Sequence, residues 1–388
     1  LKRALMILGL MLWSLEMAGA AELRVLTFNT WGIRDGRDKR ARFELMPGAV
    51  AELGPDVVLF QEVFEDWERE ALNSGLVKAG YPADGFRYFP LRSYGTGIYF
   101  VSRWPIADER MEPYESFRRP ENKETLGRGM AGFRIKAPFG DFLVVTTHIT
   151  PGNLADLSRS EGMLEFYGLS KFIYEESART GVKNVIVGGD LNADPNKLIY
   201  NIFPALTGFS NAFPATHNQG FEPTVDRREN GYALMGIEAI DHIFFGNLTG
   251  AAFGLKPKSA EVVFKRRYLS ASGKKYFLSD HFGVLAVFET TNDAPVIKDA
   301  PITYSPRLTI KDKDWLFQNL RQGTNLDGSP DLWQHLAVAV LANQDRSKDR
   351  DAKLIAAANK LLVHAAGKRG FKPGNEDLKI LQAWVEKQ

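Results

Sequence analysis

Asn184–Asn192 reads N-V-I-V-G-G-D-L-N. Val185, Ile186 and Val187 are consecutive, apolar and β-branched, the composition of a buried strand. Gly188 and Gly189 allow a sharp turn or a close approach of the backbone to a neighbour. Asp190 and Asn192 follow at the strand's carboxyl end, two apart. In an extended chain both side chains leave on one face. A carboxylate beside a carboxamide there can hold a phosphate, a metal-bound water, or both. The same two residues are common at ordinary strand-to-turn junctions, so the reading depends on what other strand ends carry.

Several other strand ends carry similar groups. Leu23–Phe28 alternates and stops at Asn29-Thr30-Trp31-Gly32. Asp56–Phe60 is a buried strand that stops at Gln61-Glu62. Thr96–Ser102 is a third strand. Gly132–Lys136 and Asp141–His148 form a hairpin around Pro138-Phe139-Gly140, which puts His148 at a carboxyl end. Ile240–Phe245 holds Asp241 and His242 just inside its start, and Ser279-Asp280-His281 precedes the strand Gly283–Phe288. Helical spacing covers Phe43–Leu53, a segment from Asp66, and Leu157–Ser177. Arg34–Arg42 is charged and reads as a loop. Residues 193–238, rich in Pro, Asn and Gly, read as long loops with short elements.

Composition narrows the chemistry. The 388 residues are 44% hydrophobic and 25% charged, enough for one large domain and a smaller one. The net charge of +2 disfavours a generic nucleic-acid binder. There is no cysteine and there are six histidines, so any metal site must use oxygen and imidazole ligands.

Lys2 and Arg3, the apolar run Ala4–Leu15 and Ala18-Gly19-Ala20 read as a signal peptide over residues 1–20. The expectation is export, to the periplasm or beyond. The main domain then spans 21–290, a proline-bearing linker 291–306, and a helical module 307–388. That module carries helical patterns at Asp314–Arg321, Asp331–Asn343, Asp351–Ala366 and Asp377–Glu386, and no functional motif.

The strand-end motifs F-N-T-W-G, L-F-Q-E-V-F, T-T-H, G-G-D-L-N, I-D-H-I-F-F and L-S-D-H-F-G-V resemble, in order, those of the endonuclease/exonuclease/phosphatase superfamily. Within it the chain is similar to the neutral, magnesium-dependent sphingomyelinases. Gln61–Phe64, Gly97–Ile106 and P-T-V-D-R-R-E-N-G-Y-A at Pro223–Ala233 carry that likeness. Val225 stands where Trp is usual and Arg227 where Pro is usual, which bears on head-group specificity. The resemblance implies a four-layer α/β sandwich, two packed β-sheets flanked by helices.

It also implies roles. Glu62 would bind Mg²⁺, or another divalent cation such as Mn²⁺, with Asn29 beside it and Asp280 facing the metal. Asp190 and Asn192 would hold the attacking water and a phosphate oxygen. His281 would be the general base, oriented by Asp241, although the roles of Asp241 and Asp280 could be exchanged, and His148 would stabilise the transition state, help the leaving group, or in a two-metal variant be a ligand. His217 and His242 read as satisfied core or surface residues, and His335 and His364 lie in the helical module with no partner motif. Gly127-Arg128-Gly129 either brings a guanidinium to phosphate or is only a loop.

Val262–Phe277 reads as a hairpin turning near Ser270–Gly273. It interleaves Phe264, Tyr268, Tyr276 and Phe277 with Lys265, Arg266, Arg267, Lys274 and Lys275. That pattern suits a lipid head-group surface, or single-stranded nucleic acid, or packing on its own domain. The favoured function is release of phosphocholine from sphingomyelin at a membrane surface. A secreted nuclease, a phosphomonoesterase on inositol phosphates and a non-catalytic binding protein are the alternatives. Nothing in the sequence points to an oligomer.

Overall fold

Apolar side chains emerge on both faces of the central strands, so each sheet is covered twice. The structure, a computed structural model, describes residues 21–91, 95–115, 127–151, 158–218, 220–234, 236–293, 295–297, 310–322, 326, 329–347, 349–368 and 370–388. The proposed signal peptide and most of the linker lie outside them.

The first sheet has the order β13 (Gly254–Val263), β16 (Gly283–Thr291), β1 (Glu22–Asn29), β2 (Val57–Gln61), β4 (Tyr99–Ser102) and β3 (Phe86–Tyr88). The second has β5 (Ile106–Pro113), β6 (Gly129–Ala137), β7 (Gly140–His148), β8 (Asn184–Asp190), β12 (Asp241–Asn247) and β9 (Ser210–Asn211). Val25, Leu59 and Phe100 of the first sheet meet Phe133, Val144 and Ile186 of the second in a buried core. Phe100 stacks on Phe133 with ring centroids 4.0 Å apart. Gly188 lets the sheets approach, because a Cβ there would lie 2.6 Å from Leu59 Cδ1.

Outside the first sheet, Leu26, Phe28, Val58 and Phe60 pack on α1 (Lys39–Leu53) and α2 (Asp66–Lys78). Outside the second, Leu143, Val145, Val185 and Val187 pack on α3 (Ser158–Thr180) and α4 (Leu198–Thr207). The result is the four-layer sandwich expected from the motifs. Helices α6 (Ile310–Gln322), α7 (Pro330–Arg346), α8 (Ala352–Ala365) and α9 (Asn375–Glu386) add to it. Their apolar faces join the α3–α4 core, with α8 against both α3 and α4. The helical module is therefore docked on the sandwich. Among the described residues no helix is long and apolar enough to cross a membrane.

Four local expectations need correction. α1 begins at Lys39, inside the segment read as a loop, because Lys39 and Arg42 turn inward. α4, ten residues long with seven of them buried, is more than the short elements expected among the loops of 193–238. Val262 and Val263 end the long strand β13, whose outer residues are polar. The hairpin is the shorter pair β14 (Tyr268–Leu269) and β15 (Lys275–Tyr276). β5 is a strand that the sequence pattern does not predict, since an edge strand of I-A-D-E-R-M-E-P has no apolar alternation. The small elements α5 (Ala212–Thr216), β10 (Val225–Asp226) and β11 (Ile237–Glu238) complete the order.

Candidate active site

Sheet register brings the polar strand ends together. β7 and β8 run parallel with His148 opposite Asp190. β12 runs antiparallel to β8 and starts with Asp241 opposite Asp190. Across the sandwich, β1 and β2 run parallel with Asn29 opposite Gln61, one residue before Glu62.

Asp190 is the hub. Its Oδ2 accepts a 2.9 Å hydrogen bond from Asn29 Nδ2 and lies 3.3 Å from His148 Nε2 and 4.0 Å from His281 Nε2. Its Oδ1 accepts the backbone N–H of Asn192 at 3.0 Å. Burial alone would raise the Asp190 carboxyl. His148, then His281 and Asn29, overcome that and hold it well below the usual carboxylate range. Asp190 therefore stays ionised at neutral pH.

His281 Nδ1 lies 2.9 Å from Asp241 Oδ2, which leaves Nε2 facing Asp190. Burial disfavours the imidazolium, but Asp241, Asp280 and Asp190 together raise the His281 pKa well above its ordinary value. Burial raises the Asp241 carboxyl against the pull of His281. His148 is buried, and burial, then Arg128, push its pKa down while Asp190 opposes them.

Glu62 lies just past β2 at φ 60°, a left-handed conformation that costs a non-glycine residue energy. Its carbonyl accepts from Thr30 Oγ1 at 3.1 Å, and the next N–H, of Val63, donates to Gly97 O at 3.0 Å. Gly32 is required beside it, because a Cβ there would lie 2.0 Å from Glu62 O. Glu62 Oε2 is buried with no hydrogen-bond partner among the described residues. Burial pushes the Glu62 carboxyl up; His148 opposes this and Asp280 adds to it. Burial likewise raises Asp280. A buried, unpartnered carboxylate oxygen next to a second carboxylate fits a hard divalent cation. Asp190, Asp241 and His281 also converge, with ligand atoms within 4.8 Å of one another, and this buried cluster can hold a metal.

The eight site residues read from sequence thus occupy one end of the sandwich, but two are engaged locally. Asn29 bonds Asp190 through its amide and accepts Trp31 N–H on Oδ1 at 2.9 Å. Asn192, at φ 47°, donates to Ile149 O at 2.9 Å. His242 is a satisfied core residue. Its ring contacts Ala193 O and Asn211 Nδ2, and burial lowers its pKa to about 4.

Sequence reasoning missed the residues that support these groups. Thr224 Oγ1 accepts the backbone N–H of Ile240 at 3.1 Å and of Asp241 at 3.2 Å. Asn230 donates to Ser279 O at 2.8 Å, bracing the turn before His281. Both belong to Pro223–Ala233, so the motif itself was the available signal. Lys39 bonds Gly32 O at 2.9 Å and pairs with Glu68 at 2.7 Å, while Glu68 Oε2 accepts Phe64 N–H at 2.8 Å. Arg128 acts electrostatically on Glu62 and His148, and its Nη1 is buried without a hydrogen-bond partner among the described residues. Arg128 was not missed in this way: Gly127-Arg128-Gly129 reads in the sequence as either a phosphate contact or a loop.

The Endonuclease/Exonuclease/phosphatase family profile matches residues 26–281. The chain belongs to that family, and the chemistry its site supports is hydrolysis of a phosphodiester. It is 23% identical over 321 residues to an inositol phosphosphingolipids phospholipase C of Schizosaccharomyces pombe, covering 74% of this chain and 73% of that one. Among solved structures, SmcL aligns at TM-score 0.55 and 21% identity over 69% of this chain and 99% of its own. Truncated TDP2 of Caenorhabditis elegans aligns at TM-score 0.53 and 18% identity over 69% of this chain and 98% of its own. These two share the fold.

Proposed function

We propose that the protein is an exported, divalent-metal-dependent phospholipase C-type phosphodiesterase that cleaves a phosphosphingolipid, with sphingomyelin as the first substrate to test. The observation that carries the chemistry is the Asp241–His281 pair aimed at an ionised Asp190. The yeast relative and the segment Pro223–Ala233 support the lipid substrate.

Glu62 and Asp280 are the groups that would hold Mg²⁺ or Mn²⁺, and Asn29 keeps Asp190 beside them. A bound cation supplies positive charge for the phosphate oxygens in the transition state. Asp190 and Asn192 align the attacking water, and His281, in the neutral form that a cation offsetting the neighbouring carboxylates would favour, takes its proton at Nε2 while Asp241 fixes the imidazole tautomer. His148 donates toward the developing charge or the leaving oxygen. Arg128 offers guanidinium N–H groups to the phosphate.

The hairpin β14–β15 is the proposed membrane contact. Leu269 is 61% exposed, and Arg267, Lys274 and Lys275 have no carboxylate partner among the described residues.

One parallel assay tests the proposal: sphingomyelin liposomes and plasmid DNA, each with and without EDTA. Phosphocholine release that EDTA abolishes is the expected result. DNA cleavage with the lipid untouched would establish the nuclease alternative instead.

A further inference from the structure

Arg42 is fully buried and makes no ion pair among the described residues. Its guanidinium is satisfied by backbone carbonyls alone. Nε donates to Arg37 O at 2.8 Å, Nη1 to Thr30 O at 2.7 Å and Leu278 O at 2.9 Å, and Nη2 to Trp31 O at 2.9 Å. These bonds engage four of the five N–H groups that a guanidinium carries.

The carbonyls belong to two distant stretches. Thr30, Trp31 and Arg37 follow Asn29 at the end of β1, whereas Leu278 lies two residues before Asp280. Trp31 has φ 51°, and the guanidinium sits 4.9 Å from the centroid of its ring. The bent chain after Asn29 is therefore held by the same group that holds the turn carrying Asp280 and His281. Both Nη1 hydrogens are used, one on each stretch, and a planar fork fixes the angle between them.

We infer that Arg42 is a positioning residue that sets the spacing between the Asn29–Glu62 half of the site and the Asp280–His281 half. The inference rests on the function proposed above, but its first readout does not need turnover. A lysine keeps the charge, yet its ammonium carries three N–H groups and no planar fork, so it cannot meet all four carbonyls or fix the angle between the two stretches.

The test compares Arg42→Lys with Arg24→Lys. Arg24 also bonds a backbone carbonyl, Leu53 O, but at the opposite end of β1. Calorimetric titration with Mn²⁺ alone should show about tenfold weaker binding for Arg42→Lys and wild-type binding for Arg24→Lys. With the phosphodiester that the wild type cleaves best, kcat of Arg42→Lys should fall about 10²-fold with KM little changed, the size expected when reacting groups are misplaced by about 1 Å. Guanidinium added to Arg42→Ala should restore part of both losses.

A folded Arg42→Lys with wild-type Mn²⁺ affinity and kcat overturns the inference. So does an equal loss in Arg24→Lys at equal loss of melting temperature. Failure of both Arg42 variants to fold, with or without guanidinium, assigns the residue to folding and overturns it as well. Should the wild type cleave no phosphodiester, the proposed function falls, and the Mn²⁺ titration still decides the role of Arg42.

Discussion

The two ends of the β8–β12 ladder are built from nearly the same atoms and behave differently. At one end Asn184 lies opposite Asn247; at the other, Asp190 lies opposite Asp241. The amides satisfy each other and the chain around them. Asn184 Nδ2 donates to Asn247 Oδ1 at 3.1 Å and to Phe253 O at 2.5 Å. Asn247 Nδ2 donates to Leu255 O at 2.9 Å and its Oδ1 accepts Leu255 N–H at 2.7 Å. The carboxylates repel across the ladder and need His148, His281 and Asn29 to relieve them. One end closes the sheet; the other holds unsatisfied charge ready for a ligand. Backbone strain follows the same division, because the non-glycine residues Trp31, Glu62 and Asn192, all at positive φ, follow β1, β2 and β8 at the charged end.

The largest effect expected from this contrast is on catalysis. Asp190→Asn should lower kcat by about 10³-fold or more, given what a lost proton-handling or charge-stabilising group costs. Its melting temperature should fall only modestly, because the lowered Asp190 pKa makes the ionised carboxylate stabilising while the repulsion of the facing Asp241 is relieved. A large drop in melting temperature with activity kept would reverse the division between the ends.

Asn247→Ala is the complementary change. It leaves Asn184 Nδ2 and Leu255 N–H each short of an acceptor, at a cost of about 2–4 kcal/mol in a urea unfolding titration. Activity per folded molecule should stay within about twofold of wild type, a span that corresponds to less than 1 kcal/mol of barrier.

Glu165 links the charged end to α3. Its carboxylate accepts Thr150 N–H and Thr150 Oγ1, each at 2.7 Å, two residues past His148. Burial raises its pKa to about 7 from 4.5. The folded state therefore holds a proton that the unfolded state has lost between those values. Stability should fall as pH rises from about 4.5 through about 7, by at most about 3 kcal/mol, and then level off. Glu165→Gln should flatten that slope in thermal melts at pH 5 and pH 8. An unchanged slope would show that Glu165 does not carry it.

The smallest effect belongs to the hairpin. Leu269→Asp should reduce turnover on liposomes severalfold and leave a short-chain soluble substrate unaffected, as expected for lost surface partitioning. Equal losses on both substrates would remove the membrane role.

Much of this site is legible in the amino-acid sequence, because the chemistry lies where periodic segments stop. A β-rich run ending in D-L-N or T-T-H, or one preceded by S-D-H, names its own candidate residue. Arg42 carries no such mark, and Thr224 and Asn230 are marked only by the motif Pro223–Ala233, which does not say what they hold. Their partners are backbone groups, which have no sequence signature, and Arg42 sits in a charged stretch whose inward face is cationic rather than apolar. α4 is hidden differently: Leu198–Thr207 is short, carries Pro204 within it and has no exposed residue, so no charged face marks it as a helix.

The sequence by itself determined that β1, β2, β7, β8 and β12 are strands, about where each meets its polar residue and which group that is, because alternation and chain-breaking residues act locally. Only the tertiary structure decided that Asn29 would reach Asp190 across 161 residues, that Asp241 would start its strand where β7 and β8 finish, and that Arg42 would hold both halves of the site. Sheet register and the packing of one sheet on the other set those meetings, and both depend on the whole chain folding at once.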